Sequence, residues 1–134
     1  LTSIGESAFS FCSNLTEIHL PASLTSIGEG TFWSCSSLTE INLPASLASI
    51  GESAFSGCSS LTEINFPASL TSIGESAFSF CSSLTEVICY ALVPPKLNGF
   101  SNSTIENLYV PAESIQAYKD SSWAIYFKNI LPIE

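Results

Sequence analysis

Hydrophobic and polar residues follow one another along this chain in an order that recurs four times. The stretch LTSIGESAFSFCSNLTEIHLPAS at the start returns with few changes in copies that begin at Leu24, Leu47 and Leu70, which gives a period of 23 residues. Because a single copy buries too little apolar surface to offset its own loss of entropy, the stacked array is the folding unit. In the first copy, the positions predicted to face inward are Leu1, Ile4, Ala8, Phe9, Cys12, Leu15, Ile18 and Leu20.

The stronger of two strands predicted in each copy is the LTEIHL segment. Ile18 and Leu20 alternate there with Glu17 and His19, which is the period of a strand with one buried face. Pro21 follows and ends the strand, since proline has no N–H to donate.

A weaker strand is predicted over residues 2–4 of the first copy. We expect it to end at Gly5 in a turn with positive φ, a conformation that glycine adopts easily. The segment SAFSFCSN that follows is too short for a stable α-helix and favours a 3₁₀ turn.

After Val93 the repeat becomes irregular. A shortened fifth copy without the cysteine keeps five apolar residues in their roles: Leu97, Phe100, Ile105, Leu108 and Val110. The segment ESIQAYKD then predicts a short helix with Glu113 in its first turn and Lys119 in its last, where both charges favour the helix dipole. Four apolar residues after it are available to cover the last repeat: Trp123, Phe127, Ile130 and Leu131. The predicted organisation is therefore a repeat domain over residues 1–110, with four full copies and one degenerate copy, and a C-terminal cap over 111–134.

The recurring pattern LxxIxxxAFxxCxxLxxIxLPxx resembles the BspA-like leucine-rich repeats of bacterial surface proteins, found in Bacteroidetes and treponemes. The resemblance implies an α/β repeat solenoid, a right-handed leucine-rich repeat superhelix. Its parallel β-sheet would lie on the concave side, with short strands and 3₁₀ turns opposite and a helical cap at the C-terminus. It also implies display outside the cell or on the outer membrane, and recognition and adhesion without catalysis. The implied partner is a host extracellular-matrix protein, another cell-surface protein or a glycan.

The charge of the chain excludes some classes of partner. With 12 acidic and 3 basic residues the net charge is −9, whereas nucleic-acid binders need a basic surface. An anionic membrane surface is disfavoured for the same reason. The chain contains no Met and starts at the first position of a repeat, which indicates the C-terminal part of a longer protein.

Four cysteines share one position of the repeat and form a column rather than a CxxC metal pair: Cys12, Cys35, Cys58 and Cys81. Neighbouring thiols lie within disulfide range, but their parallel side-chain directions disfavour a bridge. We interpret them as small buried hydrophobic groups, with Cys89 in a slot that other copies fill with Leu or Phe.

The glutamates form two further columns, each of four residues: Glu6, Glu29, Glu52 and Glu75, and Glu17, Glu40, Glu63 and Glu86. A solvated surface explains both, because neighbouring charges about 4.8 Å apart in water repel by only about 0.9 kcal/mol. A weak divalent-cation ladder and a glycosidase-like carboxylate pair are the alternatives. Nothing in the sequence separates the two carboxyl pKa values as the second would require. We expect no catalytic residue, metal site or cofactor.

The predicted ligand contacts lie on the strand that follows the cysteine, where side chains of successive copies form regular columns. They are Glu17, His19, Glu40, Asn42, Glu63, Asn65, Glu86 and Ile88. Three aromatic residues stand among Ser and Gly and are either a second binding edge or packed against neighbouring turns: Phe11, Trp33 and Phe80.

A structural spacer that displays another domain is the alternative function. Self-association through the first copy, which has no cap before it, is a further expectation.

Overall fold

Each copy folds into two short strands, and equivalent strands of successive copies pair in parallel. The computed structural model describes residues 2–97, 100 and 105–133. One face of the molecule carries β1 (Ser3–Ile4), β3 (Ser26–Ile27), β5 (Ser49–Ile50), β7 (Ser72–Ile73) and β9 (Lys96–Leu97). The other carries β2 (Glu17–His19), β4 (Glu40–Asn42), β6 (Glu63–Phe66), β8 (Glu86–Cys89), β10 (Ile105–Val110) and β11 (Phe127–Pro132). The result is a parallel β-solenoid of about five turns, which confirms the predicted leucine-rich repeat fold.

The pairing register equals the sequence period. Ser3 pairs with Ser26 on the first face, and Glu17 pairs with Glu40 on the second. The first face is one continuous sheet of five strands. The second is divided, because β2 pairs with β4 in one sheet while β6, β8, β10 and β11 form another.

The turns between the two faces alternate between local and inter-copy hydrogen bonds. Ser7, Phe9 and Phe11 donate N–H bonds of 2.7–2.8 Å to carbonyls of the next copy. The residues between them bond three positions back, as from the Ser10 N–H to the Ser7 carbonyl at 3.1 Å. The expected 3₁₀ geometry is therefore present as single turns, interrupted at every second residue by a bond along the solenoid.

The core is a column of stacked aromatic rings. Phe32 lies on Phe55 with centroids 5.2 Å apart, and Phe55 lies on Phe78 at 5.1 Å, with interplanar angles of 12° and 9°. Phe100 of the degenerate copy extends the column at 5.0 Å from Phe78. The five apolar residues predicted to keep their roles in that copy are all buried. The predicted core is thus confirmed from the second copy onward.

The first copy is the exception, because only one neighbour packs against it. Phe9 stacks on Phe32 at 5.5 Å but is 37% exposed, and Ala8 is exposed. Cys12 and Ile18 are only half-buried. Leu1, which was also predicted to face inward, lies outside the described residues.

The segment after residue 110 closes the other end. A 3₁₀ turn (Ala112–Ser114) leads into α1 (Ile115–Lys119), where the short helix was predicted, and a second 3₁₀ segment (Ser122–Tyr126) follows. Tyr118 and Trp123 are fully buried there. The Tyr118 hydroxyl donates to the Ala91 carbonyl at 2.8 Å, and the Trp123 indole donates to the Pro95 carbonyl at 2.9 Å. The segment ends in β11, which pairs with β10, so it both covers the core and extends the sheet.

The expected positive φ at Gly5 is wrong, and so is the reason given for glycine at this position. Gly5 and its equivalents have no positive φ; the left-handed residues are Ser7, Phe11, Gly30, Ser34, Ser53, Gly57, Ser76 and Phe80. They occupy two fixed positions in each copy. Gly51 is needed because a Cβ there would lie 2.7 Å from the backbone of Gly28 and Glu29 in the previous copy. At Gly5 a Cβ would meet nothing within 4 Å.

We predict that Phe55→Ala lowers the free energy of unfolding by about 3–5 kcal/mol, since it leaves a cavity in the middle of the ring column. Thr62→Ala in the same copy is the control, because Thr62 is exposed and should change stability by less than about 0.5 kcal/mol. Urea denaturation followed by circular dichroism measures both. Equal effects would mean that the ring column does not hold the copies together.

We predict that Gly51→Ala is destabilising by about 1–3 kcal/mol, because the added methyl group overlaps the backbone of the neighbouring copy. Gly5→Ala is a matched control at the same repeat position. It should be neutral or slightly stabilising, since its methyl group has space and alanine restricts the unfolded chain. The same denaturation measurement applies, and equal losses in the two variants would contradict the close-approach explanation.

Candidate ligand-binding face

The structure brings the eight predicted contact residues onto one outer surface, here called the acidic face: Glu17, His19, Glu40, Asn42, Glu63, Asn65, Glu86 and Ile88. Glu17 pairs with Glu40 and Glu63 with Glu86 in register, so the carboxylates do form a column. Glu86 and Ile88 are half-buried, whereas the other six are exposed. The break between β4 and β6 divides the acidic face into two sheets of two copies each. The repeat pattern did not predict that break.

Neutral amides continue the glutamate column into the C-terminal segment. Asn107 pairs with Glu86, and Asn129 pairs with Asn107. The Asn129 side chain donates to Asn107 Oδ1 at 3.0 Å. The column of like charges therefore ends at β8, and an amide ladder takes its place.

Few of the acidic-face carboxylates have a partner. Glu17 contacts Nε2 of His19, and Asn42 lies 3.3 Å from Nδ1 of the same ring. The His19 ring therefore lies between the Glu17 carboxylate and the Asn42 amide. Within residues 2–97, 100 and 105–133, no basic group pairs with Glu40, Glu63 or Glu86.

A cleft opens in the acidic face next to β11. Its volume is about 390 Å³, and we call it the tyrosine cleft: Glu63, Glu86, Ile88, Tyr90, Tyr109, Pro132 and Ile133. Sequence reasoning missed both tyrosines. Tyr90 stands where earlier copies have proline, and Tyr109 pairs with Ile88, one strand beyond the predicted column. The signal was the change from LPAS to CYAL at the end of the fourth copy.

The aromatic residues on the turns form a separate surface. Phe11 and Trp33 contact each other with ring centroids 5.0 Å apart, yet they remain 63% and 44% exposed. Phe80 is 65% exposed and lies across a serine- and glycine-lined groove from Trp33. Phe11 and Trp33 thus pack on each other across neighbouring turns, as one of the two alternatives expected, and a second binding edge stays a prediction. The other glutamate column is exposed beside the same turns: Glu6, Glu29, Glu52 and Glu75.

Four of the five thiols are buried in the core, as predicted, whereas Cys12 of the first copy is half-buried, and three of the buried thiols donate along the solenoid. Cys35, Cys58 and Cys81 lie 3.1–3.3 Å from the carbonyl oxygens of Phe9, Phe32 and Phe55 in the preceding copies. The cysteines are all free. Burial raises the pKa of the Cys81 thiol to about 12, and it raises the pKa of Cys58 as well. Burial thus keeps these groups protonated and unreactive at neutral pH.

The only histidine of the chain, His19, is exposed, whereas the thiols that might pair with it lie in the core. Across the described parts of the chain, no group of three or more His, Cys, Asp or Glu is placed to hold a metal ion.

The repeat profile of the BspA type leucine-rich repeat region matches residues 2–124, in six copies. This chain belongs to the BspA-type leucine-rich repeat family. The match includes the degenerate fifth copy and extends into the C-terminal segment, in agreement with the continuous stacking seen in the fold. Among curated proteins, no sequence matches the chain significantly.

Solved structures of other bacterial leucine-rich repeat proteins share the fold. A leucine-rich repeat protein of T. pallidum is 27% identical with a TM-score of 0.70, over 98% of this chain and 64% of that protein. A leucine-rich cell surface protein of Faecalibacterium prausnitzii is also 27% identical, with a TM-score of 0.68, over 100% and 30%. A leucine-rich repeat protein of Bacteroides ovatus is 26% identical with a TM-score of 0.60, over 99% and 40%. The chain thus spans between about a third and two thirds of these proteins.

No helix among the described residues has the length and apolar character needed to cross a membrane.

We predict that stability falls as pH rises above about 9, the ordinary pKa of a cysteine thiol. The folded state holds its thiol protons up to about pH 12 at Cys81, whereas the unfolded chain releases them near 9.0. The contribution of each buried thiol is therefore complete below pH 9 and is lost progressively between about pH 9 and 12. Denaturant midpoints measured from pH 7 to 11 test this.

Cys58→Ala should have lower stability at pH 7, because of the cavity, but a shallower loss above pH 9. If the substitution does not change the slope of stability against pH, the alkaline loss arises at another group. Tyr118 is one such group, because burial also raises its pKa.

Proposed function

We propose that this chain is a recognition and adhesion module displayed on a bacterial surface, without catalytic activity, and that it binds its partner through the acidic face. The partner class is a host extracellular-matrix protein, another cell-surface protein or a glycan. The family and the cell surface protein of Faecalibacterium prausnitzii support the location.

The placement of its carboxylates on paired strands supports the acidic face above the other glutamate column, whose members are also exposed but lie in turns. Glu40 and Glu63 are exposed and have no basic partner in the described parts of the chain, so their charges are available to a ligand. The inward side chains of the same strands are fully used by the core, as at Ile41 and Ile64. Within each of its two sheets, strand pairing places the outer side chains of neighbouring strands about 4.8 Å apart, a spacing that suits an extended polypeptide.

The charge of this face predicts the kind of partner. A surface with unpaired carboxylates attracts basic segments, and salt weakens the attraction because the charges are exposed. The partner should therefore present lysine or arginine residues, and binding should be stronger at low ionic strength than at 0.15 M.

We predict that the double variant Glu40→Gln/Glu63→Gln loses at least about tenfold in affinity, since it removes two central charges without changing shape. Solid-phase binding to a panel of extracellular-matrix proteins and to cultured host cells measures the effect at two salt concentrations. Thermal stability should stay equal or rise slightly, because the two carboxylates no longer repel their neighbours.

Glu29→Gln/Glu52→Gln is the matched control. It makes the same charge change in the same two copies, but on the glutamate column beside the turns. Equal loss in both double variants would show that net charge alone drives binding. Loss in the control only would move the site to the edge with Phe11, Trp33 and Phe80. Absence of binding by the unmodified chain to every partner tested would favour a spacer function.

A further inference from the structure

Two walls border the tyrosine cleft within the acidic face. On one side the end of β11 is fixed by the Ile133 N–H, which donates to the Val110 carbonyl at 2.9 Å. On the other side the Tyr90 N–H donates to the Phe66 carbonyl at 3.0 Å, while the Tyr90 ring remains 46% exposed. Backbone hydrogen bonds therefore hold both walls of the cleft in place.

The carboxylates in the cleft lack a counter-charge. Glu63 and Glu86 lie opposite each other in the β6–β8 register, and neither forms an ion pair in the described parts of the chain. Oε2 of Glu86 is also buried without a hydrogen-bond partner, a state that costs free energy in a folded protein. By contrast, the acidic residue on the next strand, Glu106, pairs with Lys128 at 3.3 Å. A bound cation would compensate the charge at Glu63 and Glu86.

The composition of the cleft favours an organic cation over a metal ion. Ca²⁺ takes six to eight oxygen ligands, and no metal-binding cluster occurs among the described residues. The rest of the lining consists of two tyrosines and three apolar residues: Tyr90, Tyr109, Ile88, Pro132 and Ile133. Aromatic faces attract cations, and a planar guanidinium both stacks on such rings and forms two parallel bonds to carboxylates. Lysine has a compact charge and lacks this geometry.

We propose that the tyrosine cleft binds an arginine side chain of the partner polypeptide. Its guanidinium group lies between the carboxylates of Glu63 and Glu86, and its planar face packs against Tyr90 and Tyr109. This inference rests on the proposed function, because the arginine belongs to the partner bound along the acidic face. It adds the residue that the partner must contribute and the place where that residue binds.

The test uses the whole chain labelled with ¹⁵N and the peptide acetyl-Gly-Arg-Gly-amide as the probe. The comparison peptide contains citrulline, which has the shape of arginine without its charge. We expect amide shifts at Ile88, Tyr90, Tyr109 and Ile133 on addition of the arginine peptide. Affinity for the citrulline peptide should be at least about tenfold weaker, since the charge-assisted bonds are lost.

Two variants locate the site. Glu86→Gln should weaken binding of the arginine peptide about tenfold without lowering stability, because it removes a half-buried unpaired charge. Glu75→Gln in the same copy removes an exposed charge outside the acidic face and should leave binding unchanged. Tyr90→Ala should also weaken binding, through loss of ring stacking.

Three results would overturn the inference. They are equal binding of the arginine and citrulline peptides, shifts confined to residues outside the cleft, and displacement of the peptide by millimolar CaCl₂ with the same residues shifting.

Because the probe is small, its binding does not depend on an identified partner. Loss of matrix binding in Glu40→Gln/Glu63→Gln, without any binding of the arginine peptide, would leave the proposed function standing and refute the arginine site. Binding of the arginine peptide, without any loss of matrix binding in Glu40→Gln/Glu63→Gln, would support the arginine site and refute matrix recognition through the acidic face.

Discussion

The contact between equivalent positions of neighbouring copies is the interaction on which the whole structure depends. At Phe55 it is ring stacking on both sides, at 5.2 and 5.1 Å. At Cys58 it is a thiol that donates to the Phe32 carbonyl. At Thr31, which replaces alanine, the buried hydroxyl donates to the Gly5 carbonyl of the previous copy at 3.1 Å. None of these contacts exists within a single copy, so stability grows only as copies are added.

The same stacking places identical side chains of neighbouring copies next to each other on the outer surface. For apolar residues this is favourable, but for the glutamate columns it places equal charges about one strand spacing apart. In water the repulsion between neighbours is about 0.9 kcal/mol before screening, which the core tolerates. At Asn107 and Asn129, amides replace the carboxylates in the column and bond to each other, so the like-charge repulsion ends at β8.

The features that distinguish one part of the surface from another occur where the copies differ. Proline ends the second strand in three copies, but Tyr90 in the fourth becomes a wall of the tyrosine cleft. The opposite wall comes from β11, which belongs to the C-terminal segment and not to a full repeat. The cleft thus depends on the segment that also buries Trp123 and Tyr118 over the end of the core.

The sequence by itself determined the period, the pairing register, the core column and the separation of the two glutamate columns. It could do so because each of these depends only on which residues recur at a fixed spacing, and a near-perfect repeat makes that spacing explicit. The eight predicted contact residues share one face for the same reason.

Only the tertiary structure decided what depends on the distance between elements that are remote in sequence. It showed that Gly51 is required by the backbone of the previous copy, because the sequence cannot reveal how closely two backbones approach. It showed the break between β4 and β6, and it brought Tyr90 and Tyr109 into one cleft with Glu86. A repeat pattern predicts what its copies share, whereas a cleft formed by two departures from the pattern arises only when the chain is folded.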